Sequence, residues 1–79
     1  MSPTIFREGE YRFYFFSREE PRCHVHVYCT DGEAKFWLEP QIGLAQNYGL
    51  DQRQLRAGQK LIEEHQDRIR DAWRKHFGG

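Results

Sequence analysis

Apolar and polar positions alternate through the first half of the chain and change to a helical period in the second half, which predicts strands followed by helix. Thr4-Ile5-Phe6-Arg7 and Tyr11 to Phe16 are β-branched or aromatic runs separated by Glu8-Gly9-Glu10, the pattern of a hairpin that reverses at Gly9. Ser17 to Arg22 is charged and contains Pro21, so it reads as a surface loop. Two further runs, His24 to Thr30 and Glu33 to Glu39, flank Asp31-Gly32, a preferred two-residue hairpin turn. With those two residues as the turn, Thr30 faces Glu33, Tyr28 faces Lys35, His26 faces Trp37 and His24 faces Glu39. Val25, Val27, Cys29, Ala34, Phe36 and Leu38 then share one face, the core side. His24, His26, Tyr28, Lys35, Trp37 and Glu39 share the other.

Beyond the sheet, Glu39-Pro40 reads as the start of a short helix over about 40–48, with Leu44, Ala45 and Tyr48 on its apolar side and Gly49 ending it. Asp51 and Gln54 have the spacing of a capping box, and Leu50 and Leu55 that of a hydrophobic staple, so a long helix is predicted over 51–77. Along it Leu55, Ile62, Ile69 and Trp73 recur on one face, widened by Leu61, Ala72 and Phe77. The predicted fold is α+β, a single domain over 1–79. An antiparallel four-stranded sheet of two hairpins (4–39) precedes a short helix and a long C-terminal helix packed on one sheet face. The other face is expected to be at least partly open.

Composition narrows the function classes. A chain of 79 residues has room for one small core, and its aromatic content of 15% supplies it. Twelve basic residues balance twelve acidic ones, which excludes a strongly basic protein gripping a long nucleic-acid backbone. No apolar run approaches the roughly 20 residues that span a bilayer, and no signal-type N-terminus is seen, so a cytoplasmic protein without a membrane partner is expected. Cys23 and Cys29, six residues apart on one strand, would lie about 20 Å from each other at roughly 3.3 Å per residue. They are therefore read as two free, buried thiols of a reducing compartment.

Pro3-Thr4-Ile5-Phe6-Arg7, Tyr11-Arg12-Phe13, His24-Val25-His26-Val27 and Glu33-Ala34-Lys35-Phe36-Trp37-Leu38, four blocks in order, resemble a family of small bacterial proteins catalogued as domain of unknown function 4160. That resemblance implies a short stand-alone bacterial protein encoded beside a second small gene, in arrangements that look like toxin–antitoxin pairs. Members of that family commonly carry consecutive prolines before the histidine pair, where this chain has Pro21-Arg22-Cys23, and favour aspartate where Glu39 stands before Pro40.

The chemistry-bearing feature is the histidine pair, since residues i and i+2 of a strand project to one side. Recognition is the first reading: His24, His26, Tyr28, Trp37, Arg12 and Glu39 would form an aromatic binding face for a protein partner encoded nearby. Single-stranded RNA is a further possible ligand of such a face, and pairing of an open edge strand with a second copy is a further possible association. A metal-independent ribonuclease is the alternative, with His24 and His26 as acid and base beside Lys35 and Tyr28. A metal site is the third reading and would rest on His24, His26 and Glu39. Two histidines fall short of the three or four ligands a zinc site needs, so no cofactor is expected. The plainest alternative is that His26 stacks on Trp37 and His24 pairs with Glu39. Whether the chain is an enzyme is left open by its sequence.

Overall fold

A computed structural model describes residues 4–15 and 22–77. Five strands, β1 (Thr4–Glu8), β2 (Tyr11–Tyr14), β3 (His24–Cys29), β4 (Gly32–Trp37) and β5 (Gly43–Tyr48), precede two helices, α1 (Gln52–Glu64) and α2 (Gln66–Phe77). The strands form one antiparallel meander in the order β1-β2-β3-β4-β5. The α+β class and the two hairpins are as expected. The loop expected over Ser17 to Arg22 lies, apart from Arg22, outside the described residues, as does Phe16.

The sheet has five strands where four were expected, because residues 43–48 extend along β4 instead of coiling. A helix there would have left the outer edge of β4 with a row of bare backbone donors and acceptors, and β5 satisfies them. Asn47 fixes its exit, with its side chain donating to the Leu50 carbonyl and accepting from the Leu50 N–H, both at 3.0 Å. The chain passes from β4 to β5 through a cis Glu39-Pro40 peptide bond.

The β3–β4 turn also differs. Cys29 is opposite Gly32, so Thr30 and Asp31 occupy the loop in place of Asp31 and Gly32. Every residue therefore meets a partner two positions from the expected one: His24 faces Trp37 and His26 faces Lys35. A shift of two preserves the alternation, so each face keeps its expected members within the strands. Gly32 is needed for close approach rather than for the turn, because a Cβ there would lie 2.1 Å from the Tyr48 carbonyl oxygen.

One side of the sheet holds the core. Phe13, Val25, Val27, Phe36 and Leu38 pack there with Leu55, Ile62 and Ile69 of the helices. The capping box of α1 is formed: the Asp51 carboxylate accepts from the Gln54 N–H at 2.8 Å, and the Gln54 side chain accepts from the Asp51 N–H at 3.0 Å. The buried Gln54 amide also donates to Asp31 at 2.7 Å, tying the β3–β4 turn to the start of α1. Gln54→Ala removes both links and is expected to cost about 2 kcal/mol, read as a lower urea midpoint at unchanged slope.

The long helix expected over 51–77 is broken at His65. Run straight, it would measure about 40 Å at 1.5 Å per residue. The molecule is 33 Å in its longest dimension. At the break His65 lies 3.3 Å from the Glu8 carboxylate and packs on the Phe6 ring, anchoring the bend to β1. The new direction of α2 brings Trp73 and Phe77 onto Phe15.

Candidate binding face

The sheet face opposite the core is assembled by register, since directly paired residues project to the same side. One row across the strands reads Arg7, Arg12, Tyr28, Glu33, Tyr48. The next reads Thr4, Tyr14, His26, Lys35, Gln46. His24, Trp37 and Gly43 follow.

At the His24 end the face is packed shut. His24 is fully buried, edge-on to Trp73 of α2 (ring centroids 5.0 Å), to Trp37 (5.9 Å) and to His26 (5.3 Å). Its Nδ1 donates to the Arg22 carbonyl at 2.7 Å, which places the ring proton on that nitrogen. His26 stacks on Tyr14 at 5.2 Å, and the Tyr14 hydroxyl donates to the Glu33 carboxylate. Trp37 carries the Lys35 ammonium 4.7 Å and the Arg22 guanidinium 4.0 Å from its ring centre, cation–π contacts that hold the indole flat. His26 and Lys35 are buried, and Trp37 is half-buried.

The other end is open. Tyr28 is 49% exposed and Tyr48 60% exposed, with Glu33 between them in the same row. At a strand spacing of about 4.8 Å the two tyrosines stand roughly 10 Å apart.

Of the residues expected on this face, His24, His26, Tyr28, Lys35 and Trp37 share it, and Arg12 joins them opposite Tyr28. Arg12 donates to Thr4 at 2.8 Å and lies over the Tyr14 ring. Glu39 does not face His24. It lies past the end of β4, where its carboxylate pairs with Arg70 of α2 at 2.9 Å, and Arg70 also donates to the Leu38 carbonyl at 3.0 Å. The ligand set His24, His26 and Glu39 is thus not assembled. Among the described residues no three His, Cys, Asp or Glu side chains gather as a metal site. The expected stacking of His26 on Trp37 is likewise replaced, by Tyr14 on His26 and His24 against Trp37.

Both cysteines are free and buried. Burial pushes the Cys23 thiol up, with the Glu39 carboxylate adding to the effect, so it stays protonated at neutral pH and is a poor nucleophile or metal ligand. Cys29 accepts from the Gln54 amide at 3.7 Å.

Three contributors lay outside the expected site. Glu33 has the same alternation as Lys35 and was findable by extending that pattern one step towards the turn. Tyr48 was hidden inside a presumed helix, and Trp73 carried only the signature of a core anchor.

Among the described residues no helix is long and apolar enough to cross a membrane. The model of a family described as a domain of unknown function (DUF4160) matches residues 10–74. No curated protein and no solved structure matches the chain.

Proposed function

The chain belongs to the family described as a domain of unknown function (DUF4160), and on that premise we propose that it is a small bacterial interaction protein. It acts as one component of a toxin–antitoxin-like two-gene module and binds its protein partner through the open end of the sheet face. The observation that carries this reading is the pair of exposed tyrosines, Tyr28 and Tyr48, standing in one row at the open end of the face with Glu33 between them. Exposed aromatic clusters mark contact surfaces, because a tyrosine offers a large apolar area, few rotatable bonds and a hydroxyl that can bond across the interface. The stacked rings of Tyr14 and His26 occupy the next row and flank that surface.

Contact is therefore assigned to Tyr28 and Tyr48, while Trp37, His24 and His26 form the packed end of the same face. Acid–base chemistry on RNA is the weaker alternative, since it needs both histidines to reach a substrate and His24 is fully buried. Co-purification with the product of the adjacent gene tests the reading. Tyr28→Ala/Tyr48→Ala should weaken capture at least about tenfold, the effect of losing roughly 1.4 kcal/mol of interface energy. Capture by the folded double variant at wild-type strength would remove this face from the interface.

A further inference from the structure

Beyond that reading, the sheet has one edge unlike the other. Among the described residues β5 ends the sheet and pairs with β4 alone. Its six residues, Gly43-Leu44-Ala45-Gln46-Asn47-Tyr48, include no charge and no proline, whereas β1 at the opposite edge carries Arg7 and Glu8. Charged side chains and proline are devices that keep an edge from pairing with another chain. A bulge does interrupt the β4–β5 pairing, but it falls between the Lys35 and Phe36 partners, and Gln46 to Tyr48 continue in regular register. Among the described residues the large apolar side chains left exposed are Tyr28, Leu44 and Tyr48, so two of the three belong to this strand. Leu44 is opposite Phe36, a core residue, and Tyr48 is opposite Glu33, on the other face. A strand laid along β5 would meet an apolar side chain on each side of the sheet.

We propose that β5 pairs antiparallel with β5 of a second copy about a two-fold axis, joining the two five-stranded sheets into one of ten strands. A second copy fits this edge better than a partner selected by charge. Two-fold pairing of a strand with itself repeats its charges across the interface, and an uncharged strand is free of that repulsion. A charged partner would find nothing on β5 to read. The pairing also closes: it covers the unguarded edges and leaves the two charged β1 strands as the outer edges of the assembly. Because the two strands run antiparallel, the Tyr48 end of one copy lies towards the Gly43 end of the other.

Light scattering on the purified chain alone, at high micromolar concentration, tests this independently of any second gene product. The expected mass is about 19 kDa, twice the 9.5 kDa of one chain. Leu44→Lys/Tyr48→Lys, with an unchanged circular dichroism spectrum, should fall to the single-chain mass. Should the double variant not fold, Tyr48→Lys alone, at the more exposed of the two positions, gives the same test. A wild-type chain at the single-chain mass, or a folded lysine variant at the doubled mass, overturns the proposal.

Discussion

Gly32→Ala is expected to destabilise the protein by about 3 kcal/mol, a large loss for one methyl group. The added carbon would sit 2.1 Å from the Tyr48 carbonyl oxygen and 3.0 Å from the Gly49 Cα, both backbone atoms. Backbone cannot swing aside as a side-chain tip can. Retreat is blocked from the other direction as well, because Gly49 has a φ of +103° and itself lies under Asp31, where a Cβ would come 2.7 Å from the carbonyl oxygen. The two glycines let the β3–β4 turn and the exit of β5 touch directly, so relief of the clash must push β5 outward and carry Tyr48 with it. Gly43→Ala is the control. A Cβ there meets nothing within 4 Å, and its effect should stay within about 0.5 kcal/mol. Urea denaturation of the two variants reads the difference, and equal midpoints would mean that the Gly32–Tyr48 contact does not constrain the fold.

Phe13→Ala should cost more, about 4 kcal/mol. Phe13 is fully buried on β2, opposite Val27 and stacked on Phe6 with ring centroids 4.5 Å apart. Its removal takes away transfer energy and leaves a cavity that strands held on both sides cannot collapse to fill. Domains of this size hold a total stability near the low end of about 5–15 kcal/mol, so the variant should be largely unfolded at physiological temperature. Phe13→Leu, which keeps most of the volume, should lose only about 1.5 kcal/mol. Thermal unfolding by circular dichroism separates the two, and a Phe13→Ala variant melting within a few degrees of wild type would show that the core lies elsewhere.

The sequence was most informative where a local pattern has a local cause. Alternation in His24 to Cys29 and Glu33 to Leu38 assigned faces correctly, because strand period is a property of the backbone alone. The Asp51/Gln54 capping box marked the start of α1 for the same reason: its bonds span three residues. Features set by distant partners were less legible. Gly32 looked like a turn residue, and its requirement comes from Tyr48, sixteen positions away. Pro40 resembled a helix start, although the exposed edge of β4 draws residues 43–48 into a strand. His65 reads as one more residue of a periodic helix, yet the helix breaks there, where its ring meets Glu8 and Phe6 of β1.

The candidate site was legible to a similar depth. The histidine pair, Tyr28, Lys35 and Trp37 follow from alternation. Which of them reach solvent does not, since the burial of His24 depends on Trp73 arriving from a helix that must first bend. Glu39 was misplaced because its nearest attraction is Arg70, thirty-one residues on.

Amide chemical-shift mapping of isotope-labelled protein titrated with the unlabelled product of the adjacent gene tests the binding face most directly. The amides of Tyr28, Glu33, Gln46 and Tyr48 should move on binding, while those of Lys60, Glu63 and Arg74 on the helices stay in place. Perturbations confined to α1 and α2, with the Tyr28–Glu33–Tyr48 row unmoved, would contradict a partner-binding role for this sheet face.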